Sequence, residues 1–315
     1  MKKLILIAVV LIILGAVVFA ASAAAIHFDF TNLDTGNYET NTYAVKEHFR
    51  SISIDATTEK IVFRPSENTD CKVVCFEEEH RMHTVAVTDG TLTVKAVDTR
   101  KQTDRLFNLK VPEITVYLPE RVYSGLRIIT DTGDTEIPAD FSFDSISIQG
   151  DTSDVVCLAS AKGGIGIALS TGDITMASID AGALDLKVTT GKIHADSIAC
   201  EGDVFIRVGT GKTRLQDVTC RSLTSEGTTG KITLDHVVAA DTVRITRGTG
   251  DVEFNASDAE TVFVKTSTGD VTGSLLSEKV FLTETDTGKV DVPKSIRGGK
   301  CEISTDTGDI RITIG

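Results

Sequence analysis

A strict repeat limits what this chain can fold into more than any other feature. Aligned on one glycine, the sequence steps through Gly133, Gly172, Gly191, Gly211, Gly230, Gly250, Gly269, Gly288 and Gly308, with Ser153 filling the slot between the first two. Each step is 19 or 20 residues over ten copies, and a threonine precedes the slot in every one, from Thr132 to Thr307. Seven residues before the slot the side chain is apolar throughout, as in Leu126, Leu184, Phe281 and Cys301. Five before it only Ser225 and Thr283 break an aliphatic column. Positions two and four after the slot are mostly apolar too, as in Ile193, Ile232, Leu234 and Ile312. Apolar residues two apart on either side of a turn read as two short strands per repeat, each with one buried face.

Two strands in so short a repeat cannot bury that face alone, but a stacked copy can. The fold expected is all-β: a right-handed parallel β-solenoid of about ten coils, wound by the usual crossover rule. At about 4.8 Å per coil the rod is roughly 45–50 Å long. A column of threonine hydroxyls able to hydrogen-bond from coil to coil would line its corner.

The period also disposes of two catalytic motifs. Asp-Thr-Gly stands at Asp34, Asp131, Asp286 and Asp306, and a pair of such aspartates sharing a proton is acid-protease chemistry. Elsewhere in the column that aspartate is replaced by Ser, Thr or Gly, so the triplet is a turn former. Gly209–Thr213 imitates a phosphate loop, yet Ile206 stands where the leading glycine belongs and a strand follows.

Upstream, Ile52–Phe63 fits the same register, with Thr58 on the threonine position and Glu59 in place of glycine, and reads as a first rung or cap. A meander follows: Lys72–Phe76, Thr84–Val87, a hairpin turn at Asp89-Gly90, Leu92–Val97 and Ile114–Leu118. Charged Asp98–Leu109 reads as a surface loop. Beyond the last inward residue, Ile312, an open final coil is expected, offering an edge to partners unless its own last residues cover it.

Lys2-Lys3 precede an apolar run, Leu4–Ile26, broken only by Gly15 and Ser22. That is long enough to span a bilayer, with the positive flank in the cytoplasm. Ala21-Ser22-Ala23 also fits a cleavage site, so the segment is an anchor or a signal peptide. Either way the bulk of the chain lies outside the cytoplasmic membrane. The divisions expected are 1–26 anchor or signal, 27–45 polar stalk, 46–125 degenerate coil plus meander cap, and 126–315 solenoid. A net charge of −13 argues against nucleic acid as a partner.

Little chemistry stands out. Cys71, Cys75, His80 and His83 suggest zinc, but on an extended strand the two sulfurs lie about 13 Å apart. Cys157 and Cys301 occupy core slots. Cys200 and Cys220 follow successive slots by nine residues and stack on neighbouring coils, where a disulfide is geometrically conceivable; without a framework pattern, free thiols are the simpler reading. The residue after the slot is always charged: Asp134, Asp154, Asp173, Lys192, Lys212, Lys231, Asp251, Asp270, Lys289, Asp309. Asp131 and Asp151 bring the carboxylates on the first coils to five. These could bind calcium, although a solvated ladder is the simpler account. His194 and His236 are isolated. No catalytic, cofactor-binding or metal residue is assigned, and no enzyme activity or cofactor is expected.

The layout resembles a bacterial envelope family labelled "putative adhesin" or LiaG-like β-strand repeat proteins. The resemblance rests on the single N-terminal apolar helix, the degenerate start Ile52–Phe63, the extended Ile114–Pro119 and the corners STGDI, STGDV and DTGDI at Ser170, Ser267 and Asp306. It implies a single-pass bacterial envelope protein, often beside stress-response systems, and carries no catalytic residues. The function expected is a non-enzymatic extracytoplasmic rod binding an envelope polymer or surface. The alternatives are a scaffold or sensor arm docking a membrane protein, with self-association through the open C-terminal coil, and, remotely, a polysaccharide-active β-helix enzyme.

Overall fold

The computed structural model describes residues 2–25, 37–99 and 110–315. Lys2–Ala25 is a helix, α1. Among the described residues no helix is long and apolar enough to cross a membrane. Residue 26, residues 27–36 of the expected stalk and most of the charged loop before Lys110 lie outside the described residues. Tyr38–Val45 of the stalk is strand.

Among the described residues nine strands make up the cap and the first repeat copy: β1 (Tyr38–Val45), β2 (Ser51–Asp55), β3 (Lys60–Pro65), β4 (Cys71–Glu78), β5 (Arg81–Thr88), β6 (Thr91–Asp98), β7 (Glu113–Leu118), β8 (Val122–Thr130) and β9 (Thr135–Ile137). Strands continue to Ile314, and all 25 found among the described residues belong to one sheet. The repeat forms a β-solenoid of about ten coils, as its period predicts.

One coil illustrates the rest. Leu184–Thr190 buries Leu184, Leu186 and Val188; the chain turns at Gly191, and Ile193–Cys200 buries Ile193, Ala195, Ile198 and Cys200. The second strand bends at Ser197, where φ is 56°. Ser178, Asp217, His236 and Ala256 bend their coils at the same place. These five coils therefore have three strand segments, not the two read from the sequence, and in the coil of Gly191 the third supplies Ile198 and Cys200 to the core. Coils stack parallel and in register, with Leu184 beside Val204, Ile193 beside Thr213 and Ile198 beside Val218.

The glycine corner is imposed by the stacking. A Cβ on Gly211 would lie 1.7 Å from the Gly191 carbonyl oxygen, and its φ of 147° disfavours any side chain. Ser153 is tolerated because its φ is not positive, and its Oγ donates to the Gly133 carbonyl at 2.7 Å. Coils are joined here by backbone, not by the expected hydroxyl ladder. Gly172 N donates to Thr190 O, Gly191 N to Thr210 O, and so on along the rod, while the ten threonine side chains stay exposed.

At the N-terminal end, spatial order departs from chain order. The β2–β3 rung lies between β6–β7 and β8–β9: Ile52 pairs with Leu92 on one side and Leu126 on the other, and Ile61 with Ile114 and Thr135. The degenerate copy is thus a true rung. Below it β4 runs antiparallel to β7, β5 to β6 and β1 to β4. Tyr43, Val45, Val85 and Val87 from these antiparallel strands pack on the core and close that end. The Asp89-Gly90 hairpin forms as expected, both residues at positive φ.

The C-terminal end corrects the expectation of an open last coil. Gly299–Thr307 inserts between Val252–Thr268 and Lys279–Thr287, and Ile310–Ile314 between Val271–Leu275 and Val290–Asp291. Cys301, Ile303, Ile310 and Ile312 are consequently buried. The open rung is Lys279–Asp291, whose Phe281, Thr283 and Thr285 are only half-buried and whose Val290 is exposed. Composition explains the exchange: the coil carrying Thr283 loses less at the wet end than one carrying Ile303 and Ile310.

Candidate functional surfaces

The corner beside the threonines recurs on all ten coils of the repeat. Its charged column is tied into the fold on the acidic side. Asp134 Oδ1 accepts the amide of Asp154 at 2.9 Å, Asp154 that of Asp173 at 2.8 Å, and Asp173 that of Lys192 at 2.7 Å. Asp251, Asp270 and Asp309 repeat the pattern, their Oδ1 atoms accepting the amides of Asp270, Asp309 and Lys289. One oxygen of each of these carboxylates is therefore a structural acceptor rather than a free calcium ligand. The lysines pair locally: Lys192 with Asp173 at 3.5 Å and Lys231 with Glu253 at 2.7 Å.

A second cluster is buried where the cap meets the first rung, and sequence reasoning missed it. Glu59, standing in the glycine slot, is fully buried; its Oε2 accepts the amides of Thr57 and Thr58, and Arg81 Nη2 lies 2.9 Å from its Oε1. Arg81 Nη1 also donates to Thr58 Oγ1 at 2.6 Å. The β4–β5 hairpin brings His83 between two carboxylates, Nδ1 at 2.5 Å from Glu77 Oε2 and Nε2 at 3.6 Å from Glu59 Oε1. Burial works against the charged form of Glu59, but the neighbouring His83, the Arg81 charge and backbone amides outweigh it and bring its pKa down to about 2. Burial likewise disfavours protonated His83, yet the proximity of Glu59, the Glu77 hydrogen bond and the charge of both raise its pKa above 6.5. Two carboxyl groups, one guanidinium and one imidazole thus meet in a single buried network. The available signal was Glu59 itself, the one carboxylate in a glycine column.

The zinc set weighed from sequence is rearranged. The structure brings Cys75, Glu77 and His83 together, their ligand-type atoms within 4.8 Å of one another. Cys71 and His80 are not part of that group. Both Glu77 oxygens already accept hydrogen bonds, Oε1 from Asn41 at 2.8 Å and Tyr43 at 3.1 Å, Oε2 from the His83 amide at 2.7 Å and from its ring. Burial pushes the Cys75 thiol up to about 12, so the site favours a hydrogen-bonded network over metal ligation. Cys71 instead borders a cleft of about 870 Å³ beside β1 and β4, lined also by Lys46, His48, Asp70, Tyr117 and Arg121. Cys200 and Cys220 are free and buried on adjacent coils.

A family model described as Toastrack DUF4097 matches residues 49–313. A comparison with curated proteins finds no match. Among solved structures, a "putative adhesin" of Parabacteroides distasonis is 11% identical, with 86% of this chain and 98% of that one covered at a TM-score of 0.49. A "putative lipid binding protein" of the same species is 17% identical over 76% and 95% of the two chains, also at 0.49. A "putative adhesin" of Bacteroides fragilis is 14% identical over 88% and 97%, at 0.44.

Proposed function

We propose, from the premise that this chain belongs to the toastrack DUF4097 family, that it is a non-enzymatic, right-handed β-solenoid anchored by its N-terminal helix outside the cytoplasmic membrane, where a long face of the rod binds an envelope polymer. One observation carries the binding reading. Lys192, Lys212 and Lys231 stand on three successive coils beside exposed Thr190, Thr210 and Thr229. Cations and hydroxyls repeating every ~4.8 Å form a comb suited to an extended anionic chain. Lys2-Lys3 ahead of Leu4–Ile26 support the anchor and its orientation.

The full-length protein, expressed in a bacterial host, is expected to stay with membranes through an alkaline wash. Detergent-solubilised, it is expected to bind isolated bacterial cell walls saturably at moderate salt. Changing all three lysines to Gln should weaken retention about tenfold, on the scale of three exposed ion pairs. Release by the wash would sink the anchor; unchanged retention of the variant would sink the polymer reading.

A second reading, a scaffold arm docking another membrane protein, is favoured by the open strand Lys279–Thr287 with Leu282 exposed to solvent. A Leu282→Lys variant that keeps cell-wall retention but loses crosslinks to membrane neighbours would support it.

A further inference from the structure

The charged column reads differently in space than along the chain. Because the last two coils exchange places, Asp309 lies next to Asp270, and Lys289 ends the column. Over the ten copies the spatial order is Asp134, Asp154, Asp173, then Lys192, Lys212, Lys231, then Asp251, Asp270, Asp309, then Lys289: three blocks of three with alternating sign, closed by a single lysine. Within one rod such blocks are unfavourable, since stacked like charges repel and strict alternation would be better. The amide ladder explains why acids suit this corner but not why three lysines stand together.

We propose that two copies of the chain pair side by side and antiparallel along this column, each supplying the opposite charges. Centre the two-fold axis between the coils of Lys231 and Asp251. Lys231 then faces Asp251 of the second copy, Lys212 faces Asp270, Lys192 faces Asp309 and Asp173 faces Lys289. Symmetry doubles these contacts, and every one is between opposite signs. Had the coils stacked in chain order, Lys192 would meet Lys289 and Asp173 would meet Asp309. The exchange at the rod's end converts clashes into matches. Both rods have the same coil spacing, so a register set at the centre holds to the ends.

The flank permits close approach. Two residues before the slot, six of the eight coils in the contact carry Ser170, Thr189, Gly209, Thr228, Gly248 and Ser267, all small and uncharged, and only the two end coils carry a charge there, Asp306 and Asp286. Most of the column is accessible, the side chain of Lys192 being 67% exposed and that of Asp173 42%, while Asp309 is 25% exposed and already paired with Arg311 of its own chain, so Lys192 would meet an Asp309–Arg311 pair. The contact is isologous and closes at a dimer. It rests on the fold alone and stands without the polymer reading. If the anchor holds, antiparallel rods come from facing membranes.

The test uses full-length protein in a non-ionic detergent. Sedimentation velocity should show a monomer–dimer equilibrium whose apparent Kd rises about tenfold or more between ~20 mM and ~300 mM salt. The triple variant Lys192→Glu/Lys212→Glu/Lys231→Glu should be monomeric at both, with far-UV circular dichroism confirming the fold. If that variant does not fold, the Lys→Gln triple should still weaken the dimer. Register is read with single cysteines: Lys192→Cys mixed with Asp309→Cys should form a disulfide-linked heterodimer, identified by mass spectrometry, that neither forms alone. A monomer at ~100 μM in low salt would overturn the proposal. So would a dimer that survives the lysine substitutions, which would place association in α1 or at the open rung, and so would absence of the crosslink. A salt-sensitive, crosslinked dimer with no cell-wall retention would support the pairing while sinking the polymer reading.

Discussion

Ser225 looks like a flaw in an aliphatic column until Arg247 is placed. Three residues before its slot, where Val188 and Val208 face the core, the next two coils carry Gly227 and Arg247. Arg247 is buried, Nη2 donating to Ser225 Oγ at 2.8 Å and Nη1 to the Thr246 carbonyl at 3.2 Å. Burial draws its pKa down to about 10. Gly227 makes the room: a Cβ there would lie 2.4 Å from Nη1. Ser225→Ala removes the acceptor and should cost about 1–3 kcal/mol. Arg247→Met leaves Ser225 Oγ buried without its donor, so the double variant should lose less than the sum of the two. A coupling energy of about 0.5–3 kcal/mol is expected from urea unfolding of all four proteins; strict additivity would mean the pair does not interact. The corner residues were legible at this scale because their period was visible. Arg247 was not, since a charge in an inward column acquires its meaning only from the coil beneath it.

Among elements, the cap depends on the β4–β5 hairpin being held to the rung that carries Glu59. His83 has a folded pKa raised above 6.5, so its contribution is fully present below that value and is lost as pH rises through the folded one. Glu59, lowered from 4.5 to about 2, contributes above 4.5 and loses that contribution as pH falls toward 2. Cap stability should therefore be flat from about pH 4.5 to 6.5 and fall on both sides. Trp is absent, and all four tyrosines, Tyr38, Tyr43, Tyr117 and Tyr123, lie in or beside the cap, so tyrosine fluorescence during urea unfolding reports on it selectively. His83→Gln should remove the alkaline fall and Glu59→Gln the acid one. Profiles unchanged by either substitution would mean that other groups set the pH dependence. The meander and the degenerate rung were readable from alternation and register. The antiparallel return that buries Glu77 and His83 was not, because hairpin patterning says which strands pair locally and nothing about which rung they close over.

At the scale of the whole molecule, one hydrophobic core runs from Phe49 to Ile312 through a single sheet. A solenoid's stability is mostly a sum of nearest-coil terms, so a coil with one neighbour opens before a coil with two. The period fixes coil size and inward faces but is blind to stacking order, since exchanging two coils of equal register leaves every column intact. The chain does this at both ends, with β2–β3 inside β6–β7 and Gly299–Ile314 inside Lys279–Asp291. Thr283 hinted at the second exchange, marking its coil as the less costly to leave wet. Hydrogen exchange can read the order directly. Amides of Lys279–Asp291 should exchange faster than those of Gly299–Thr307, which are covered on both sides. The gradient along the C-terminal region should thus run against the chain, with protection recovering after Asp291. Protection that instead decayed steadily to Gly315 would put the coils in chain order, returning Lys192 to face Lys289 and removing the charge match on which antiparallel pairing depends.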